Sequence, residues 1–170
     1  MIAGVGNVLR GDDGFGVEAL HRLDAALGGA PGVELFESGI AGISLVQQLF
    51  DGHDALVLLD AADRGAAPGT LFVLAPDPAA PLGPQGEHEP VDLHQANPRG
   101  VLRMAAVLGV LPRRTWIVCC QAADCDELGA DLSPAVRAAL PAAVERVLAL
   151  LREVGAAAAG ESGPHCLPQA

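Results

Sequence analysis

The sequence predicts an α/β protein in which helices cover both faces of a single sheet. Its 170 residues fit one domain. The chain is 51% hydrophobic but only 3% aromatic, so its core must consist mainly of leucine, valine and alanine, which suits close packing of helices on a sheet. Residues 55–59 are apolar at every position, as expected of a strand that is buried on both faces.

The first sixty or so residues alternate between strand and helix patterns. Residues 1–5 predict a short first strand that runs into a glycine-rich turn. A helix follows, with Asp12 or Asp13 as its expected N-terminal cap and Gly28-Gly29 as its stop. Its apolar positions recur at helical spacing at Val17, Leu20, Leu23 and Leu27. The next predicted elements are a strand at 33–36, a short helix at 43–50 and a third strand at 55–59.

The second half predicts one reversed strand. Only about ten residues separate the third strand from the next at 71–74, which is too few for a crossover helix, so the fourth strand should run antiparallel to the third. Residues 76–90 are rich in proline, glycine and acid and predict a surface loop. Three elements follow: a helix opened by Asn97 and Pro98, a fifth strand at 115–120, and a helix opened by Ser133 and Pro134.

The end of the chain sets the predicted domain boundary. Pro141 should kink or split the last helix. Residues 155–170 are small, polar and without periodicity, which is typical of a disordered tail. The sequence therefore predicts one domain at 1–154, followed by a tail at 155–170.

Composition excludes several classes of protein. The formal charge of −11 would be repelled by phosphate backbones, so no nucleic-acid partner is expected. No apolar run approaches the roughly 20 residues that span a bilayer, and the N-terminus lacks a basic segment followed by an apolar one. We therefore expect a cytoplasmic protein without membrane insertion. The cysteines lack C-x-x-C spacing and are expected to be buried free thiols: Cys119, Cys120, Cys125 and Cys166.

Three polar residues stand where the strand and helix pattern would place one site. Asp13 follows the first strand in the glycine-rich turn, Asp60 closes the third strand, and His94 precedes a helix. Because the carboxyl ends of parallel strands meet at one edge of a sheet, we expect these side chains to converge there. Two carboxylates and one imidazole with open positions suit a borderline divalent metal such as nickel, zinc or iron.

Each of these residues has a simpler interpretation. Asp12 and Asp13 also fit a helix cap beside a first-turn acid, Asp60 also fits a turn, and His94 also fits an ordinary loop histidine. Other chemistries are poorly supported. Gly6 is not followed by glycine three residues later, as a dinucleotide fingerprint requires, and Ser38 does not lie in a G-x-S-x-G elbow. The Cys119-Cys120 pair lies in an apolar strand, where thiols are inert.

Five motifs in this order resemble the hydrogenase maturation endopeptidases. They are the turn at 4–16 (G-x-G-N-x-x-x-x-D-D-G-x-G), E-S-G-x-A-G at 37–42, L-L-D-A at 58–61, His94-Gln95, and L-S-P at 132–134. The resemblance covers residues 1–153. It implies a three-layer αβα sandwich around a five-stranded mixed sheet with one antiparallel strand.

The resemblance also implies a function and roles for the site residues. Members of the family remove a C-terminal extension from the large-subunit precursor of a [NiFe] hydrogenase after nickel insertion. The metal-contacting positions map onto Asp13, Asp60 and His94, of which Asp13 and Asp60 are the expected catalytic acids. The nickel would come with the precursor, the expected partner, and would not be permanently bound. The chain departs from the family in carrying Asp13 where glutamate occurs, and in the residues around His94.

Two other functions fit the same residues. A nickel-sensing chaperone or checkpoint protein would dock on the precursor through the same ligands without cutting it. A peptidase of the same fold with another substrate, such as a spore-protein protease, is the third hypothesis. A neighbouring gene for a hydrogenase large subunit would argue against the third.

Overall fold

The computed structural model describes residues 1–40, 42–76, 98–129 and 131–161. The strands are β1 (Ile2–Val5), β2 (Leu35–Gly39), β3 (Ala55–Ala62), β4 (Leu71–Leu74) and β5 (Arg114–Gln121). The helices are α1 (Phe15–Leu27), α2 (Gly42–Leu49), α3 (Pro98–Val107) and α4 (Pro134–Glu161), and a 3-10 turn, Gly11–Gly14, precedes α1.

The strands form one mixed sheet in the order β2-β1-β3-β5-β4. All neighbouring pairs are parallel except β4 with β5, which is antiparallel. The predicted reversed strand is confirmed, although its hydrogen-bonded neighbour is β5 and not β3. The predicted five-stranded mixed sheet is therefore also confirmed.

Helices cover both faces of this sheet and divide the core in two. Apolar side chains of α1 and α4 pack on one face, against β-strand residues such as Leu59 and Cys120. Those of α2 and α3 pack on the other face, against residues such as Leu58 and Val5. Alternate residues of β3 enter opposite cores, which explains why the run at 55–59 is apolar throughout. The result is the three-layer αβα sandwich.

Strand ends differ from the sequence prediction where pairing decides them. β3 continues to Ala62, because Asp60, Ala61 and Ala62 all pair with β5. Asp60 thus lies inside β3, not at its end. β2 spans Leu35–Gly39 and not 33–36, because β1 pairs with it from Ile2↔Leu35 onward.

One prediction about helix ends is wrong. Neither Asp12 nor Asp13 caps α1, whose N-cap is Gly14 without a side-chain hydrogen bond. Gly28 does end α1, in the left-handed conformation with φ of 55°. Pro141 does not split α4, because it lies on the exposed face, where water can solvate a carbonyl that lacks its helical partner.

The helix α4 also extends past the predicted domain boundary at 154, reaching Glu161. Residues 156–159 are all alanine, the strongest helix former, which accounts for the extension. Several predictions concern residues outside those described: the loop from 77 onward, His94, the cap Asn97 and the tail from 162 onward. Within the described part of the chain, no helix is long and apolar enough to cross a membrane.

Candidate active site

Asp13 and Asp60 lie at the same edge of the sheet. β1 and β3 are parallel neighbours, with Gly4 opposite Leu59, so the turn after β1 lies beside the last residues of β3. The turn is fixed by its own hydrogen bonds. The N–H of Asn7 donates to Asp13 Oδ2 at 2.8 Å, and the N–H of Leu9 donates to Asn7 Oδ1 at 2.9 Å. The turn that carries Asp13 is therefore held beside the last residues of β3, which include Asp60.

Two glycines allow the turn to lie this close to the strands. Gly6 has φ of 122°, and a Cβ there would collide with the carbonyl oxygen of Asp13. A Cβ at Gly16 would collide with the carbonyl oxygens of Val5 and Leu59. The first turn of α1 therefore sits directly against β1 and β3, and a larger residue at either glycine would disturb the turn that carries Asp13.

The electrostatics of Asp60 reflect this proximity. Burial raises the pKa of the Asp60 carboxyl, and the neighbouring charge of Asp13 raises it further, to about 8, against a smaller opposing effect of the hydrogen bond from the Ala61 N–H. A carboxyl group with this pKa keeps its proton at neutral pH. A carboxyl group that holds a proton at neutral pH can act as a general acid.

Asp12 has a separate role from its neighbour. It is only 1% exposed, and its carboxylate accepts hydrogen bonds from the N–H of Ala123 at 2.7 Å, the N–H of Ser133 at 2.7 Å and the Ser133 hydroxyl at 2.9 Å. Its own N–H donates to the Asp124 carbonyl at 3.0 Å. Asp12 therefore ties the turn before α1 to the segment between β5 and α4.

Ser133 completes this connection by capping α4. Its hydroxyl oxygen accepts from the N–H of Val136 at 3.4 Å, as the Ser133-Pro134 pattern predicts. The carboxylate of Asp12 also lies near the positive end of the α4 dipole, which favours a negative charge. The sequence indicated the cap but not the long-range partner of Asp12, because 121 positions separate Asp12 and Ser133.

Two cysteines lie near the acid pair. Cys119 pairs with Asp60 in the sheet register and is buried, as predicted. Cys125 is only half-buried, contrary to the prediction. Burial, followed by the charges of Asp13, Asp12, Asp60 and Asp124, raises the pKa of the Cys125 thiol to about 11. Such a thiol is protonated at neutral pH and is a poor nucleophile.

Sequence reasoning missed the residues that order the loop after β3. The buried side chain of Gln121 accepts from the N–H groups of Arg64 and Ala66 at 2.8 and 3.2 Å, and its amide donates to Asp63 at 3.1 Å. Arg64 in turn lies over the ring of Phe72, 5.2 Å from the centroid. The available signal was a glutamine directly after the apolar run at 116–120.

The family described as HycI, hydrogenase maturation protease, matches residues 17–150. The chain belongs to this family. The match includes Asp60 and begins shortly after the turn that carries Asp13. The family match confirms the prediction from the motifs that this protein is a peptidase.

Individual relatives agree with the family. The hydrogenase expression/formation protein HupM of Azotobacter chroococcum mcd 1 is 37% identical over 163 residues, covering 96% of this chain and 76% of the relative. The hydrogenase 2 maturation protease of Escherichia coli (strain K12) is 29% identical over 166 residues, covering 97% and 98%. The solved structure of the hydrogenase maturating endopeptidase HybD from E. coli matches with a TM-score of 0.71 and 30% identity, covering 91% of this chain and 92% of that one.

Two of the three predicted metal ligands lie among the residues that the structure describes. Asp13 and Asp60 supply two carboxylates, donors that suit a divalent cation, while His94 lies outside the described residues. Among the residues the structure describes, no group of three His, Cys, Asp or Glu side chains is arranged to hold an ion. The three-ligand set of the maturation protease therefore stays a prediction.

Proposed function

We propose that this protease removes the C-terminal extension of a [NiFe] hydrogenase large-subunit precursor after nickel has been inserted. The observation that carries the proposal is the pair Asp13 and Asp60, in a chain that belongs to the maturation protease family. The pair lies at the carboxyl edge of the parallel strands, where open α/β sheets bind their ligands.

The two acids have complementary roles in this proposal. Asp60 holds a proton at neutral pH, because its pKa lies near 8. The Asp13 carboxylate accepts a proton from the attacking water, and the Asp60 proton passes to the leaving amide nitrogen. Breaking the peptide bond then leaves a new carboxyl group on the subunit and a free amine on the released peptide.

Nickel belongs to the substrate in this scheme. The ion would be held by cysteines of the precursor, and Asp13 and His94 would contact it as additional ligands, joined by Asp60 once its proton has passed to the leaving nitrogen. Contact with a bound metal would restrict cleavage to loaded precursor, and the ion would supply Lewis-acid polarisation of the scissile carbonyl. The acidic character of the site favours a cationic ligand of this kind.

The test uses the full-length precursor from the source organism in nickel-loaded and nickel-free forms. Incubation with the protease followed by intact-mass spectrometry should show the loss of one discrete C-terminal peptide from the loaded form alone. His94→Ala and Asp13→Asn should each slow processing by about 100-fold or more. Asp24→Asn, at an exposed position near the other end of α1, is the matched control and should cleave normally.

The other outcomes distinguish the alternatives. Unchanged mass with a stable complex would replace the proposal with a non-cleaving nickel-sensing chaperone. Equal cleavage of loaded and nickel-free precursor would leave a peptidase but remove metal recognition. Normal processing by both site variants would place the active site elsewhere.

A further inference from the structure

Three exposed aliphatic side chains lie on or beside the turn that carries Asp13. Val8 and Leu9 belong to that turn and are 56% and 64% exposed, and Leu128 follows β5 and is 77% exposed. We call these three residues the apolar rim. Leaving large aliphatic side chains in water forgoes the free energy that their burial would contribute.

The members of the apolar rim come from distant segments that the backbone holds side by side. The N–H of Gly129 donates to the carbonyl of Leu9 at 2.8 Å. Next to Leu9 in the turn, Arg10 forms an ion pair at 3.5 Å with Asp126, two residues before Leu128. Leu9 and Leu128 therefore occupy adjacent positions on one surface.

This surface is also held in place from beneath. The buried carboxylate of Asp12 accepts hydrogen bonds from Ala123 and Ser133, at the two ends of the segment that carries Leu128. Its N–H donates to Asp124, so the same residue fixes the turn that carries Val8 and Leu9. A partner would thus meet a preorganised surface and would not have to order it, which lowers the entropic cost of binding.

The charges around the apolar rim define the partner. Four acids on the segment after β5 are exposed: Asp124, Asp126, Glu127 and Asp131. Arg10 pairs with Asp126 and Arg137 pairs with Asp131, which leaves an excess of negative charge. Phosphate backbones and anionic lipid would be repelled, whereas a protein surface with an apolar patch bordered by lysine and arginine is complementary.

We propose that the apolar rim docks the folded body of the hydrogenase precursor, through an apolar patch bordered by lysine and arginine. The identity of the partner rests on the proposed function. The position supports it, because the rim adjoins the turn of Asp13, where the scissile segment must enter. Docking and cutting are then separate tasks, with the rim setting affinity and the acid pair setting the rate of the chemical step.

The test measures KM and kcat for nickel-loaded precursor with Leu128→Asp and with the double variant Leu9→Ala, Leu128→Asp, whose change at Leu9 adds no charge near Asp13. KM should rise about tenfold or more for each, because apolar burial is lost and a carboxylate would have to be desolvated against the apolar patch, with kcat within about twofold of wild type. Val107→Asp is the matched control, since Val107 is 79% exposed at the end of α3, which leads to the opposite edge of the sheet. It should leave both constants unchanged. Thermal melting would check that all variants are folded.

A direct binding measurement separates this inference from the proposed function. Precursor immobilised without cleavage should bind wild type and Val107→Asp alike, and Leu128→Asp at least about tenfold more weakly. That pattern would support docking even if the wild-type protein did not cleave the precursor. Absence of cleavage would refute only the proposed function. Unchanged Kd and KM for the rim variants would overturn the docking inference while leaving cleavage intact. No binding by wild type would overturn both.

Discussion

Asp12 and Asp13 are adjacent in sequence and identical in chemistry, yet the fold gives them opposite surroundings. Asp12 is almost fully buried, and N–H and O–H donors of Ala123 and Ser133 point at its carboxylate. Asp13 is half-buried and accepts from the N–H of Asn7. Its charge also disfavours a second charge on Asp60. Hydrogen-bond donors thus surround the Asp12 carboxylate, whereas the Asp13 carboxylate makes a second negative charge at Asp60 unfavourable.

The difference separates a carboxylate that stabilises the fold, Asp12, from a pair suited to chemistry, Asp13 and Asp60. A buried carboxylate surrounded by donors connects three segments and has little freedom to take part in a reaction. An acid pair whose members repel each other is destabilising, and such arrangements are typical of sites that bind cations or move protons. The contrast predicts that removing Asp12 should damage the fold, whereas changing Asp13 or Asp60 should spare it.

The largest expected effect is on folding. Asp12→Ala should lower the free energy of unfolding by roughly 3 kcal/mol, because it leaves several buried donors without an acceptor. Asp13→Ala should change it by less than about 1 kcal/mol, since the lost hydrogen bond is offset by relief of repulsion with Asp60. Urea unfolding of both variants measures the difference.

Ser133→Ala provides the intermediate control for this comparison. It removes one donor to Asp12 and the α4 cap but leaves the backbone donors in place, so a loss of about 1 kcal/mol is expected. If Asp12→Ala cost no more than Asp13→Ala, the assignment of Asp12 as a structural anchor would be wrong.

Features that depend on local sequence could be predicted, whereas features that depend on long-range contacts could not. The alternation of apolar runs, the short 61–70 connection and the cap at Ser133 were enough to predict the five strands, the reversed strand and the start of α4, because these depend on local pattern. Two outcomes depend on long-range contacts and were not predictable. Pairing with β5 extends β3 beyond Asp60, and hydrogen bonds to Ser133 make Asp12 an anchor in place of a cap.

The candidate site was predictable in part for the same reason. Asp13 and Asp60 could be placed at one edge because Asp13 follows β1 and Asp60 lies in the last part of its parallel neighbour β3. The proximity of Cys125 to the two acids could not be predicted. Cys125 lies on the segment after β5, which Asp12 holds in place through hydrogen bonds. The glycines at 6 and 16 are positions of the motif at 4–16, but the backbone contacts that require glycine there come from Asp13, Val5 and Leu59 and are visible only in the fold.

A smaller effect concerns the pH dependence of stability. The pKa of Asp60 is raised from its ordinary value of 3.8 to about 8 in the folded protein. Between these values the folded protein keeps a proton that the unfolded chain has lost, so this stabilising contribution falls as pH rises. One such group gives a slope of up to about 1.4 kcal/mol per pH unit. Unfolding of wild type and Asp60→Asn should be measured from pH 5 to 9.

The variant lacks the titrating group, so it should gain stability relative to wild type as the pH rises toward 8. Asp63→Asn is the matched control, because hydrogen bonds from Gln121 and Gly65 lower the pKa of Asp63 and its contribution is lost only in acid. Its stability should follow that of wild type from pH 5 to 9. Parallel curves for Asp60→Asn and wild type would show that Asp60 is not held protonated by burial and by Asp13.

The smallest effect is expected at Cys125, which lies near both acids without sharing their role. Its thiol has a pKa raised to about 11, first by burial and then by the surrounding carboxylates. At neutral pH it therefore lacks the thiolate needed for attack on an amide. Cys125→Ser retains a small polar group, and we expect precursor processing within about twofold of wild type and a stability change within about 0.5 kcal/mol. Processing assays at pH 7 would check this. A loss comparable to that of Asp13→Asn would mean that the sulfur takes part in the reaction and that the site extends beyond the acid pair to the segment after β5.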